Sequence, residues 1–256
     1  MILGIDIGNT NIVIGGIQDG AILFEARLAT NRVKTSDQYT AELKSILSLF
    51  QVDALETEGT IIASVVPQVL NSFKTAIRKL TGRYPLIVGP GIKTGLNIRT
   101  ESPAQTGSDL VAGAVATIGR YPLPAAIVDM GTATTIFVVD ASGAFIGGSI
   151  CPGVKISLDA LTSRTTLLPG ISLDTPKKVI GRNTIDCMQS GVMYGAAAML
   201  DGIIGRMEAE LGQSLSVVVT GGIGRFVYPL MSHSAIYNKD LLLEGLWKIW
   251  ELNQNS

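Results

Sequence analysis

The sequence predicts an α/β protein built from two similar halves, and three observations carry that prediction. With 256 residues, 46% of them apolar, the chain can bury a large core, and its length lies between one big domain and two ordinary ones. An apolar strand ending in Asp-x-Gly, a small polar turn, a second strand, an x-Gly turn and a third strand occur twice. Asp6-Ile7-Gly8-Asn9 is echoed by Asp129-Met130-Gly131-Thr132, and Asp19-Gly20 by Ser142-Gly143, at one common spacing. In each copy the strand patterns then give way to helical periodicity. Duplication accounts for all three, with an N-terminal half over 1–114 and a C-terminal half over 115–256, and no linker or low-complexity segment between them.

In order along the chain, Ile2 to Ile7 is apolar on both faces and reads as a buried strand broken by Gly8-Asn9-Thr10. Ile12 to Ile17 follows, Asp19-Gly20 turns the chain, and Ala21 to Leu28 completes a three-stranded meander. Ser36 is the expected cap of a helix whose Tyr39, Leu43, Ile46, Leu47 and Phe50 form one stripe. Thr60 to Val66 reads as a buried strand ended by Pro67, then a helix to about Leu80 and a short strand from Pro85 to Val88. Gly89 to Gln105, rich in Gly, Pro and Thr, reads as loop, and a helix starts near Gly107. The second copy begins at Ala125. It continues through helical patterns at Gly153 to Arg164 and Thr184 to Leu211, a buried strand from Leu215 to Thr220, a Gly221-Gly222 break and an amphipathic helix from about Asp240.

Charge excludes several partner classes. Twenty Lys and Arg against 21 Asp and Glu leave a net charge of −1, which supplies no electrostatic case for nucleic acid or an anionic membrane. Uncharged stretches such as Gln189 to Leu200 fall short of the roughly 18 to 20 residues of a membrane helix. Met1 leads into Ile-Leu-Gly-Ile-Asp without a basic, cleavable leader, and Cys151 and Cys187 are too few for a disulfide framework, so the expectation is a cytoplasmic protein.

The two Asp-x-Gly turns have a physical use. Glycine lets backbone N–H groups approach phosphate oxygens, Asn and Thr side chains add hydrogen bonds, and the carboxylate can hold Mg²⁺ directly or through water. One such loop is an ordinary β-turn, but two in a duplicated frame, facing each other across a cleft, can grip a nucleoside triphosphate from both sides. They resemble the loops of the actin, hexokinase and heat-shock-protein superfamily, which implies duplicated RNase H-like (actin-like ATPase) domains with mixed five-stranded sheets flanked by helices.

Within that superfamily the chain resembles the type III pantothenate kinases over nearly its whole length. The resemblance rests on Asp6-Ile-Gly-Asn-Thr-Asn11, Gly89-Pro-Gly-Ile-Lys-Thr-Gly95, Gly107-Ser-Asp109, Asp129-Met-Gly-Thr-Ala-Thr134 and Gly147-Gly-Ser-Ile-Cys-Pro-Gly153. Further on it includes Arg164-Thr-Thr-Leu-Leu-Pro169, Asn183-Thr184, Gln189-Ser-Gly191 and Thr220-Gly-Gly222. The resemblance implies transfer of the γ-phosphate of ATP to pantothenate, the first step of coenzyme A biosynthesis. It implies a nucleotide loop over Asp6, Ile7, Gly8, Asn9, Thr10, Asn11, Ile12 and Val13, with Asp6 on Mg²⁺ and Thr132 reaching the phosphates from the second loop. By the same resemblance Asp129 holds a monovalent cation, K⁺ or NH₄⁺, and Asp109 is the general base, a task suited to a carboxylate that positions an acceptor hydroxyl and takes its proton. Thr100, Gly107, Ser108, Asp109 and Leu110 fall at substrate positions, and Thr184 at a substrate contact supplied by a neighbouring subunit, which implies a homodimer with shared sites.

Two positions depart from the family. Leu110 stands where an Arg usually follows the catalytic Asp, and Thr100 where the family has an aromatic, typically Tyr. Loss of a guanidinium that pairs with a carboxylate costs on the order of 1.5 to 3 kcal/mol, roughly ten- to a hundredfold; Arg99, Lys93 and Arg164 are the cations on which a replacement would draw. The departures keep open a divergent paralogue with another acceptor and a non-catalytic nucleotide-binding regulator. His233, in a polar turn, reads as a surface or helix-end residue, Trp247 and Trp250 as core or dimer contacts, and Asp19 and Asp140 as turn residues.

Overall fold

A computed structural model of the chain describes residues 1–254. In chain order the first elements are β1 (Ile2–Ile7), β2 (Asn11–Gln18), β3 (Ala21–Ala29), α1 (Ser36–Leu49), β4 (Gly59–Ser64), α2 (Pro67–Thr81) and β5 (Leu86–Ile87), then β6 (Asn97–Ile98) and α3 (Ser108–Ile118). After them come β7 (Ala125–Met130), β8 (Ala133–Val139), β9 (Ala144–Pro152), α4 (Val154–Ser163), α5 (Thr184–Leu211), β10 (Ser216–Thr220), α6 (Gly224–Val227), β11 (Ala235–Tyr237) and α7 (Leu241–Gln254). Two compact units form: one from Met1–Leu96, Glu101–Gly119 and the chain from Asp240 onward, the other from Asn97–Thr100 and Arg120–Lys239.

In the first unit β1, β2 and β3 form the expected antiparallel meander, β4 and β5 add in parallel, and the strand order is β3-β2-β1-β4-β5. Asp19 and Gly20 both adopt positive φ (50° and 78°), the tight hairpin geometry whose twist matches the strands. The cap of α1 is Thr35 rather than Ser36. Thr35 has the extended backbone a cap needs, its hydroxyl accepts the Gln38 N–H at 3.4 Å, and Gln38 Oε1 accepts the Thr35 N–H at 2.9 Å, a complete capping box. Tyr39, Leu43, Phe73 and Ile77 of α1 and α2 pack against Leu3, Ile5 and Ile62.

The last helix, α7, belongs to this first unit although the sequence division places it in the second half. Its seat explains why. Gly4 and Gly15 leave the neighbouring strands β1 and β2 bare where Leu243 packs, a Cβ on Gly15 standing 2.7 Å from Leu243 Cδ1, and Gly59 does the same for Trp250 at 2.1 Å. On the helix itself Gly245 lies against Ala112 of α3, whose carbonyl oxygen a Cβ would meet at 1.9 Å. Helix backbones approach this closely only where side chains are missing.

The second unit repeats the frame as β9-β8-β7-β10-β11 and adds β6 beyond β9, so its sheet has six strands where five were expected. Asn97–Ile98, inside the stretch read as loop, pairs in parallel with Ala144 and Phe145. Two residues are too few to leave a periodic signature, and the same holds for the three of β11. On one face Met193, Ala197, Leu200 and Ile204 of α5 pack on Val128, Met130, Ile136 and Val219. Among the described residues no helix is long and apolar enough to cross a membrane.

Candidate functional site

The Asp-x-Gly turn of the first unit joins β1 to β2. Buried Ile5 and Ile7 bracket Asp6 at the end of β1, and the Gly8 N–H donates to the Asn11 carbonyl at 3.0 Å, which folds Gly8-Asn9-Thr10 into an exposed loop. In the second unit Asp129 occupies the corresponding place on β7, and the Gly131 N–H donates to the Ala133 carbonyl at 3.0 Å. Three residues separate β1 from β2 but only two, Gly131 and Thr132, separate β7 from β8. The next turn is longer instead, four residues (140–143) against two, and there Asp140 accepts the Ser142 and Ala144 N–H groups at 2.8 and 2.9 Å. The two loops are thus related but not equal, and the first offers the wider backbone arc.

Each loop has a close neighbour that holds its shape. Gly153, just before α4, packs so tightly on the second loop that a Cβ would lie 2.1 Å from the Thr132 carbonyl oxygen. Gly221, with φ of 86°, follows β10, and a Cβ there would meet Asp129 Oδ1 at 2.6 Å and the Met130 carbonyl at 2.6 Å. Asp129 therefore sits in a cradle that only glycine leaves open. Thr135, its register partner on β8 and so on the same face of the sheet, has a buried Oγ1 without a hydrogen-bond partner. One carboxylate with neutral oxygen atoms is a donor set suited to a hard or monovalent cation. Among the described residues no group of three or more His, Cys, Asp or Glu could hold a metal by itself.

Asp109 lies in the first turn of α3, in the same unit as Asp6. The neighbouring Ser108 ties this turn to the sheet: its Oγ accepts the Ser64 N–H at 2.8 Å and its hydroxyl donates to the Ser64 carbonyl at 3.1 Å. Ser64 is the register partner of Ile7, so α3 starts at the strand end from which the first loop departs. Asp109 Oδ1 accepts the Leu110 N–H at 2.8 Å, and a Cβ on Gly107 would stand 2.4 Å from the same oxygen. Burial pushes the Asp109 carboxyl above the ordinary carboxylate range, against the lowering effect of the Leu110 N–H. A carboxylate of raised basicity suits proton abstraction.

The remaining sequence candidates lie in the second unit. Thr100 follows β6, with its Oγ1 buried and without a hydrogen-bond partner. Arg99, one of the cations considered as a replacement for the missing guanidinium, is held instead at the β8–β9 turn by Asp140, Nη1 to Oδ2 at 3.4 Å. Thr184 opens α5 behind the Asn183 cap, whose Oδ1 accepts the Asp186 N–H at 2.9 Å. It lines an apolar groove of about 590 Å³ with Pro152, Leu161, Leu168, Met188 and Met199, and Ile150, Ile156 and Leu167 are exposed in the neighbouring segments. His233 is not a bare surface residue. Its Nδ1 meets Asp201 Oδ1 at 2.8 Å and its Nε2 meets Glu208 Oε2 at 3.4 Å, contacts that sequence spacing could not reveal because α5 brings the carboxylates from more than twenty residues away. The cradle glycines Gly153 and Gly221 were legible as motif members but not as neighbours of Thr132 and Asp129, for the same reason.

The chain is similar to known proteins along its length. The family model described as type III pantothenate kinase matches residues 2–206. A type III pantothenate kinase of Moorella thermoacetica is 41% identical over 253 residues, 99% of this chain and 100% of that protein. Among solved structures, a conserved Baf family protein from Campylobacter jejuni, described as a transcriptional activator, aligns with a TM-score of 0.63 at 21% identity, covering 99% of this chain and 100% of its own. A Sinorhizobium meliloti protein described as a 2-dehydro-3-deoxygalactonokinase aligns at 0.59 and 13% identity, covering 99% and 97%. At these identities the two structures speak for the fold alone, an α/β architecture of two similar units.

Proposed function

The chain belongs to the type III pantothenate kinase family, and from that membership we infer that it is an ATP-dependent kinase that phosphorylates pantothenate, the entry reaction of coenzyme A biosynthesis. The observation that carries this reading is the match along the full length of curated relatives. The paired Asp-x-Gly turns supply the chemistry that the reading needs.

In this reading the backbone of Asp6 to Val13 and the Thr132 loop bind the ATP phosphates, and Asp6 holds the Mg²⁺ that accompanies them. Asp129, in its glycine-walled cradle, holds K⁺ or NH₄⁺. These cations neutralise phosphate charge when bound. Asp109 accepts the proton of the pantothenate hydroxyl as it meets the γ-phosphate, since phosphoryl transfer asks the protein mainly to position the acceptor and stabilise charge. Gly107 and Ser108 hold that carboxylate: the glycine leaves room for Oδ1, and the serine ties the turn to β4. Thr100, Leu110 and Thr184 face the acceptor, with Thr184 supplied across a homodimer whose contact is supported by the apolar groove beside it. The protein works in the cytoplasm, on small molecules rather than on nucleic acid or membranes.

The test is product formation followed by mass: purified protein with pantothenate, ATP, Mg²⁺ and K⁺ yields phosphopantothenate, and Asp109→Asn does not. No product from folded, ATP-binding protein would remove the reading. A second reading, another hydroxylated acceptor, is favoured by Leu110 and by the unpartnered Thr100 hydroxyl. It predicts ATP consumption with that acceptor and none with pantothenate.

A further inference from the structure

Between β3 and α1 runs a short segment that is tied to the first Asp-x-Gly loop. The Thr30 N–H donates to the Thr10 carbonyl at 2.9 Å and the Thr30 hydroxyl to the Gly8 carbonyl at 2.7 Å. Fully buried Tyr39 grips the next residue from both sides, its hydroxyl donating to the Asn31 carbonyl at 2.8 Å and accepting the Asn31 N–H at 3.2 Å. Asn31 Oδ1 in turn accepts the Val33 N–H at 3.0 Å. A segment held this way presents Arg32 at a set place, and Arg32 Nη2 donates to Asn9 Oδ1 at 3.2 Å.

That contact has a chemical consequence. An asparagine amide carries one acceptor oxygen and two N–H donors. With Oδ1 turned to Arg32, the Nδ2 donors of Asn9 point elsewhere, and among the described residues they have no protein partner. Among the same residues the Arg32 guanidinium meets no carboxylate, and its contact there is the one to Asn9. A guanidinium without a carboxylate partner and a pair of amide donors side by side at this loop are an arrangement for an anion. We propose that Arg32 is a positioning residue for the nucleotide: it locks Asn9 with its amide donors toward a phosphate oxygen and places a positive charge at the rim of the loop. This rests on the reading of Asp6 to Val13 as the ATP loop.

The experiment measures the Kd of ATP·Mg²⁺ by calorimetry, and KM for ATP and for pantothenate in steady state, for Arg32→Ala, Arg32→Lys, Asn9→Ala, the double Arg32→Ala/Asn9→Ala and Asp6→Asn. Arg32→Ala weakens ATP binding by about ten- to a hundredfold, the scale of a hydrogen bond to a charged group, with KM for pantothenate unchanged. Arg32→Lys, which keeps a cationic donor for Oδ1, falls between. The double variant binds ATP little worse than the worse single one, because the two residues act through one contact. Additive losses in the double variant, an equal rise of both KM values, or an unchanged Kd in Arg32→Ala while Asp6→Asn is impaired would overturn this inference alone. Unchanged ATP affinity in Asp6→Asn overturns the loop reading and this inference with it.

Discussion

In the role proposed for it, Asp109 is a carboxylate that serves catalysis at the expense of stability. Burial raises its folded-state pKa above the unfolded value, so folding favours the protonated form. The stability it contributes is full below the ordinary carboxylate value of about 4 and is lost as pH rises through the folded value. Asp109→Asn is therefore expected to raise Tm at pH 7 and to leave it unchanged at low pH, while phosphopantothenate formation disappears; calorimetry over a pH series with a parallel assay checks both. With Asp109 as the proposed base, the same shift is expected to place the acid limb of kcat above the ordinary carboxylate range, read from a kcat–pH profile. Gly107→Ala is expected to cut kcat while KM for ATP holds, because its Cβ must displace Asp109 Oδ1 from 2.4 Å. Arg32, Asn9 and Asp129 add the complementary lesson: each meets a neighbour that is distant in sequence.

At the scale of elements, close packing decides where helices sit. A Cβ on Gly245 meets the Ala112 backbone carbonyl at 1.9 Å, and neither backbone can turn aside. Gly245→Ala is expected to cost about 1 to 3 kcal/mol, the usual penalty of overpacking, read as a lower urea midpoint with unchanged m. Gly59→Ala costs less, since the Trp250 ring it meets can shift. In the second unit His233 joins the 228–234 turn to α5. Its hydrogen bond to Asp201 raises its pKa, with Glu208 adding to the effect, and Asp201, although burial pushes it up, is held below its usual range by the Ser232 and His233 N–H groups and the imidazole. The histidine's contribution is full below the unfolded value of about 6.5 and is lost as pH rises through the raised folded value. Wild-type Tm should therefore fall with rising pH across that window more steeply than that of His233→Gln, which lacks the titrating group.

For the whole molecule, binding and assembly follow from the proposed function. ATP·Mg²⁺ at a hundredfold excess over its Kd should stabilise the protein by about 2.7 kcal/mol, seen as a higher Tm, and Asp6→Asn should abolish most of that gain. Leu161→Glu, in the apolar groove beside Thr184, is expected to convert a dimer to monomer in sedimentation and to lower activity with it. What the sequence determined by itself was the architecture and the loops. Buried strands are continuous apolar runs, the repeat of Asp-x-Gly is visible without coordinates, and the full 28-residue span of α5 is legible from periodicity and its flanking Asn183 and Gly212. Only the tertiary structure decided the rest. It assigned α7 to the first unit through glycines on three strands, added β6 and β11, which are too short to announce themselves, moved the α1 cap to Thr35, and set His233 between two carboxylates. It also brought Arg32 to Asn9 and Gly221 to Asp129. The physical reason is common to all of these: local pattern records which face of an element is buried, whereas contacts between residues far apart in the chain depend on how the elements pack, and one missing Cβ or one hydrogen bond carries no periodic trace.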